Sequence, residues 1–320
     1  MIRDFFRRPK PAGTASSGRV SVIIPLYNHQ RYIAEAVASV LTQGPVLHEL
    51  IVIDDGSTDG SAAVMEQLAG TDGRIIFWSQ PNRGAHAAIN SGLHRATGEF
   101  VAILNSDDLF AADRLKMLVS FLDKQPAAEL VCSRIECVDQ AGAPMRNEWY
   151  EEALRFHRSC GDMAVSLING NILMTTSNFV MRRGVLGQIG NFAPLRYAHD
   201  LDYALRLLVL GDHRVALVPE VLLYYRMHDR NTINEAHDRV RLEWAAATAC
   251  FLHRLWDGGT DRAIDWARAR MVLEVTDRHH LTPAVQLLMA WLRRHGVEAI
   301  DHGMLVSDAD FVAQVAQVLR

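Results

Sequence analysis

The stretch VSVIIPLYNHQRYIAEAVASVLTQ, residues 20–43, holds two periodicities in succession. Val20, Val22, Ile23 and Ile24 form a continuous apolar, mostly β-branched run, which reads as a strand buried on both faces. Pro25 is expected to end it. Ile33, Ala36, Val37, Val40 and Leu41 then recur at the spacing of one helix face. The same alternation continues down the chain. Leu50 to Ile53 is a second apolar run, and Asp59 offers a cap for a helix to about Leu68. Ile75–Trp78 reads as a strand, Ala85–Ala96 as a helix, Phe100–Leu104 as a strand and Ala112–Lys124 as a helix. Strand–helix alternation with short connections predicts an α/β fold with a mainly parallel central sheet sandwiched by helices.

Ligands of such sheets bind beyond the carboxyl ends of the strands. The polar residues to inspect therefore come directly after each strand: Tyr27 and Asn28, Asp54 and Asp55, Asn82, and Asn105 to Asp108. After Leu130 the pattern changes. Residues 131–145 read as a hairpin turning at Gln140–Gly142. Residues 145–172 show no clear periodicity. Phe179–Met181 reads as a short strand, Leu201–Leu210 as a helix stopped by Gly211, and Arg214–Tyr225 as extended chain. Beyond Asn234 the pattern is helical. Thr282 with Pro283 suits an N-cap and first turn, and Ser307 with Asp310 a capping box. Trp244, Phe251, Leu252, Leu255 and Trp256 are expected on one apolar face. Met174 to Asn178 are candidates for an acceptor pocket.

Composition narrows the class. Of 320 residues, 49% are hydrophobic and 22% charged, with a formal net charge of −4. That suits a soluble globular protein and excludes a generic nucleic-acid binder. Four cysteines without a CxxC spacing read as reduced thiols rather than a zinc site. No apolar run reaches the ~20 residues needed to cross a bilayer. The first residues are basic: Arg3, Arg7, Arg8, Lys10 and Arg19 oppose Asp4. With the Gly, Pro, Ser and Thr of residues 9–18 they read as a flexible basic leader over 1–18. A second reading is docking on an anionic membrane surface.

The acidic groups carry the candidate chemistry. In VIDDGSTDG (52–60), Asp54 and Asp55 end a strand and Gly56 permits a tight turn against a ligand. A turn aspartate bonding its own backbone would look the same. In LNSDD (104–108), Asp107 and Asp108 are adjacent like charges, a costly arrangement unless a cation offsets it. Mg²⁺ or Mn²⁺ bridging a diphosphate would do so. A solvated acidic turn is the alternative. Asp200 and Asp202 in HDLDY (199–203) open a helix, as acids or as plain caps. His228 in YYRMHD (224–229) is a possible ligand or a structural histidine.

Taken in order, VSVIIPLYNHQRYIAEAVASVLTQ, VIDDGSTDG, PNRGAHAAINSGL (81–93), GEFVAILNSDDLFAADRL (98–115), HDLDYALRLL (199–208) and YYRMHDRNT (224–232) resemble family 2 glycosyltransferases. The resemblance covers roughly residues 20–232. It implies the GT-A fold and an inverting, metal-dependent transfer of one sugar from a UDP-, GDP- or dTDP-sugar to a glycan or lipid-linked acceptor. Pro25 and Tyr27 would line the nucleotide pocket. Asp55 would read the base, with Asp54 supporting its loop, and Asn82 and Gly84 would lie on the base and ribose side. The family's Asp-x-Asp motif maps onto Asn105, Ser106 and Asp107, with Asn in place of the first Asp. Asp107 would bind Mn²⁺ or Mg²⁺, with His228 as a second ligand and Asp108 assisting from behind. Asp200 matches the general base, with Asp202 nearby, and His199 replaces the usual Glu. The implied organisation is a catalytic domain over 19–234, divided into a nucleotide-sugar half (19–125) and an acceptor half (126–234), then a helical extension over 235–320. Processive members carry a Gln-x-x-Arg-Trp motif and membrane helices, and this sequence matches neither, which favours single-residue transfer. A cytoplasmic location, with the leader at the inner membrane face, and a homo-oligomer are further expectations. The Asn105 and His199 departures keep one alternative open, a non-catalytic sugar-nucleotide binder.

Overall fold

The structure, a computed structural model, describes residues 20–229, 231, 236–256, 266–301 and 303–319. The basic leader lies outside the described residues. The first half alternates β1 (Val20–Leu26), α1 (Ile33–Leu41), β2 (Leu47–Asp54), α2 (Ser61–Ala69), β3 (Ile75–Ser79), α3 (Ala85–Arg95) and β4 (Phe100–Ile103). A two-residue strand β5 (Leu109–Phe110), α4 (Arg114–Lys124), β6 (Leu130–Val138) and β7 (Pro144–Met145) come next. Then come α5 (Glu148–Cys160), α6 (Met163–Asn169), β8 (Val180–Arg182), α7 (Val185–Ile189), α8 (His199–Leu210) and β9 (Val215–Arg226). The rest is helical: α9 (His237–Trp256), α10 (Trp266–Arg278), α11 (Thr282–His295), α12 (Glu298–Asp301), α13 (Met304–Ser307) and α14 (Ala309–Val318).

Two compact units divide these elements. The first gathers residues 20–146, Leu173–Gly190 and Val215–His228 and contains the whole sheet. Its strand order is β3-β2-β1-β4-β8-β6-β9-β5, with β7 pairing β6. The β3, β2, β1 and β4 ladders are parallel. β8 runs antiparallel to both β4 and β6, while β9 lies parallel to β6. The sheet is therefore parallel where the sequence alternates strand and helix, and mixed beyond Leu130. All seven residues of β1 are buried, as expected of a central parallel strand.

Pro25 does not end β1. It pairs with Ile53, and the strand continues to Leu26. The Ile23 carbonyl accepts from the Leu104 N–H on the β4 side. Residues two apart face the same way, so Pro25 also faces that side, where β4 has already ended at Ile103. Its missing N–H costs no ladder bond there.

The second unit gathers Asn147–Ile172, Asn191–Arg214 and the described residues after His228. Here α8 packs against α6 and α9, and α9 against α11 and α14. The segment 145–172, unreadable by periodicity, forms α5 and α6. Asn147 caps α5 by accepting from the Tyr150 N–H, and Asp162 caps α6 by accepting from the Val165 N–H. From Ala245 to Leu252, α9 is buried on every side. Its apolar residues thus form no single face, and Trp256 at its end is exposed. Three expected caps move. Gly60, not Asp59, holds the N-cap position of α2, and Asp59 accepts from the Ser61 N–H. Thr282 is already helical and its hydroxyl bonds Thr276. Ser307 ends α13, so Asp308 caps α14 by accepting from the Phe311 N–H. The four cysteines are free, three of them buried. No helix among the described residues is long and apolar enough to cross a membrane.

Gly92 lets α3 sit directly on β1 and β2. A Cβ there would lie 2.6 Å from Ile23 Cγ2 and 3.0 Å from Ile53 Cδ1. Both neighbours are branched and locked in the core. Gly92→Val is expected to lower the unfolding free energy by ~2–3 kcal/mol through overpacking, read as a lower urea midpoint.

Candidate active site

The loops at the carboxyl ends of β1 to β4 are tied to one another. After β1 the chain turns at Asn28, which adopts a left-handed φ of 54°. Its Oδ1 accepts from the Thr58 and Asp59 N–H groups, and its own N–H donates to Ser57 Oγ. The loops after β1 and β2 are thereby zipped together. Asp54, buried at the end of β2, accepts from the Ser57 N–H. Asp55 Oδ1 accepts from Gln80 Nε2 and the Arg83 N–H, and Oδ2 from the Gly84 N–H at 2.8 Å. Its carboxylate thus organises the loop after β3. Gly56 faces that loop as well. A Cβ there would lie 3.0 Å from the Asn82 backbone nitrogen. Tyr27, 46% exposed, and Asn82 stand at the rim, whereas Pro25 is buried within β1.

The acidic loop extends from the end of β4. Asn105 faces the turn at residues 175–177: its Nδ2 donates to Thr175 Oγ1, its N–H to Ser177 Oγ, and its Oδ1 accepts from Thr176 Oγ1. Each end of its amide thus makes one bond within the protein. Thr176, Ser177 and Asn178 are buried. They brace this loop. Arg114, fully buried, holds the same turn through the Asn178 carbonyl and Oδ1.

Asp107 and Asp108 face apart. Asp107 Oδ2 lies 3.0 Å from His228 Nε2 and 3.9 Å from His29 Nε2. Ser106 Oγ meets the other nitrogen of His29 at 2.8 Å. Tyr32 stacks on the His228 ring. One ligand atom from each of His29, Asp107 and His228 falls within 4.8 Å of the others. Burial alone would push the Asp107 carboxyl up, but the His228 bond and the pull of both imidazoles hold it below the usual range. Asp108 bonds differently. Its Oδ1 accepts from the Arg226 N–H and its Oδ2 from Ser177 Oγ. Burial pushes its carboxyl well up, and the Asp107 charge adds to that push.

Arg226, buried at the end of β9, fastens this corner. Its Nε donates to the Asp107 carbonyl, Nη1 to the Gln140 carbonyl and Nη2 to Glu35 at 2.8 Å. Its guanidinium lies over the Tyr32 ring. Sequence reading missed both His29 and Arg226. The signal was present: His29 lies in the loop after β1, and Arg226 sits inside YYRMHD, two residues before His228.

Asp200 belongs to the second unit, in the first turn of α8. Its Oδ2 accepts from Asn171 Nδ2 at 2.8 Å and its Oδ1 from the Leu201 N–H at 2.7 Å. Asp202 is drawn elsewhere, pairing with Arg206 at 2.9 Å and lying 3.8 Å from Arg254. His199 Nδ1 meets the Leu195 carbonyl.

The model of "Glycosyl transferase family 2" matches residues 21–190. An uncharacterized glycosyltransferase of Rickettsia typhi is 30% identical over 74% of this chain and 72% of its own length. TuaG of Bacillus subtilis, named as a candidate teichuronic acid biosynthesis glycosyltransferase, is 41% identical over 34% of this chain and 44% of its own. Among solved structures, S. aureus TarS 1–349 in complex with UDP-GlcNAc superposes with a TM-score of 0.57 at 19% identity. The match covers 94% of this chain and 90% of that one, a likeness of fold.

Asp108 generates a pH test on metal-free protein. Between the ordinary carboxylate pKa and its raised native value, the folded state binds a proton that the unfolded chain lacks. Stability contributed by Asp108 is therefore lost as pH rises through that window. Asn does not titrate; its Oδ1 can accept from the Arg226 N–H as before, and its Nδ2 would donate to Ser177 Oγ where the carboxylate accepts. Asp108→Asn is expected to gain stability relative to the parent as pH rises above the ordinary carboxylate range, read in urea melts with chelator present.

Proposed function

The chain belongs to glycosyl transferase family 2, and on that premise we propose that it moves one sugar from a nucleoside diphosphate donor to an acceptor hydroxyl, with inversion and a divalent cation. Membership makes it a glycosyltransferase, and its fold is GT-A. The observation that carries the finer reading is the convergence of His29, Asp107 and His228 beside the tied loops at the strand ends.

Those three residues fit a cation. Asp107 is held toward its ionised form, and the imidazoles present nitrogen atoms to the same point. Two nitrogens and one carboxylate oxygen suit Mn²⁺ better than Mg²⁺, which prefers oxygen ligands. A bound cation supplies charge neutralisation for the diphosphate leaving group. Arg226 locks the Asp107 backbone, so the carboxylate keeps its direction. On the base side, Asp55 arrays the 82–84 loop, leaving Tyr27 and Asn82 to meet the nucleoside. UDP-sugars are the first donors to test, since TarS was solved with UDP-GlcNAc. Asp200 takes the proton of the acceptor hydroxyl while that oxygen bonds the anomeric carbon and the carbon–diphosphate bond breaks. Attack opposite the leaving group inverts the centre. The name of the Bacillus relative supports a glycan or lipid-linked acceptor of the cell surface.

Thermal shift with Mn²⁺ and UDP-, GDP- and dTDP-sugars tests the donor site, because a donor at 100 times its Kd adds ~2.7 kcal/mol. Asp107→Ala is expected to abolish the metal-dependent shift and His29→Ala to weaken Mn²⁺ binding by about tenfold or more, with Mg²⁺ a poor substitute. A donor shift unchanged in EDTA and in Asp107→Ala would remove the cation from the reading. Asp200→Asn is expected to keep the donor shift while UDP release falls by roughly 10²–10⁴-fold. Undiminished release would exclude Asp200 as the base.

A further inference from the structure

Asp200 sits on a helix whose start has no cap of its own. The residue before α8 is Ala198, and no side chain of the usual capping kind closes the turn. Three successive N–H groups, those of Arg196, Tyr197 and Ala198, instead converge on one carboxylate, Glu243 of α9. Arg196 donates to Oε1 at 3.0 Å, and Tyr197 and Ala198 donate to Oε2 at 2.6 and 3.0 Å. Glu243 is buried. A carboxylate withdrawn from water costs several kcal/mol unless charge-assisted bonds replace its hydration. Here a cradle of backbone N–H groups supplies them in part, while burial still pushes the Glu243 carboxyl up.

The side chain arrives 45 residues downstream of Ala198 and is carried by α9, whose residues 245–252 are all buried. A second tie lies one turn into α8, where Asp202 faces Arg254, also on α9. Asp200 is held by lighter means, the Asn171 amide and the N–H of its own neighbour Leu201. Its direction is therefore inherited from the backbone at 196–199. We infer that Glu243 is a positioning residue for Asp200 and that α9 is a working part of the catalytic apparatus. The inference rests on the proposed base role of Asp200. On it, the region after the family motifs serves to aim the base.

Full-length Glu243→Gln and Glu243→Asp, compared with Asp200→Asn, test this. Gln keeps the shape but turns an N–H toward a donor, and Asp is too short to span all three amides. Expected for Glu243→Gln are exchange of the 196–198 amides at least tenfold faster and a kcat for UDP release from UDP-GlcNAc with Mn²⁺ about tenfold to a hundredfold lower. The Kd for Mn²⁺·UDP should stay within twofold. Glu243→Asp should fall between, and it carries the test if the Gln variant is insoluble. Parental exchange and turnover in both variants would overturn the inference. So would a loss of Mn²⁺·UDP affinity in step with the melting temperature, the mark of general loosening. Asp200→Asn at parental turnover would overturn the base reading and this inference with it. Inactive Asp200→Asn beside fully active Glu243 variants would sink the inference alone.

Discussion

Two adjacent carboxylates, Asp107 and Asp108, are buried at the end of a central parallel strand. Neighbouring like charges cannot both ionise cheaply in a low-dielectric setting. The surroundings resolve the conflict by treating them differently. Asp107 faces two imidazoles and is favoured as an anion, while burial and the Asp107 charge push Asp108 toward its neutral form despite the bonds it accepts from a hydroxyl and a backbone N–H. Arg226 ties the two aspartates into one corner. Its backbone serves Asp108, and its guanidinium fastens the Asp107 carbonyl, the hairpin turn at Gln140 and Glu35 of α1. A buried guanidinium must itself be satisfied, so these groups hold one another in register.

The second unit handles its acids in three ways. Asp202 is drawn to two guanidinium groups, Glu243 fills a cradle of amides, and Asp200 accepts from neutral donors. The first two assignments are architectural, since they fasten the start of α8 to the helix behind it. They leave Asp200 as the acid among these three that is neither neutralised by charge nor enclosed in a backbone cradle. The same chemical group thus does three kinds of work within one small region, according to partner.

The positions of the polar groups were legible because a parallel sheet places its loops predictably. Asp54, Asp55 and the 105–108 cluster come directly after apolar runs, and they lie at strand ends. The local errors share a cause. Pro25 was read as a stop because the sequence does not reveal that β4 has ended on that side of the strand. Thr282 and Ser307 were read as caps because their neighbours, Thr276 and the end of α13, are tertiary facts. Asn105 was aligned with the first residue of the family's metal motif, and the bonds of its amide to the turn at 175–177 could not be read from that alignment. His29 and Arg226 were passed over because their significance lies in partners far along the chain. Asp108 meets Arg226 across 118 residues, and Glu35 meets it across 191.

The sequence by itself determined the order of strands and helices, the placing of acids at strand ends and the family, because each is written in local periodicity and short motifs. Tertiary structure alone decided which carboxylate is held as an anion, which is suppressed, and that a second histidine, His29, joins Asp107 and His228. It also decided that a glutamate after the last motif cradles the start of α8. Those outcomes depend on burial and on hydrogen bonds between segments tens to hundreds of residues apart, and no local pattern encodes such partners.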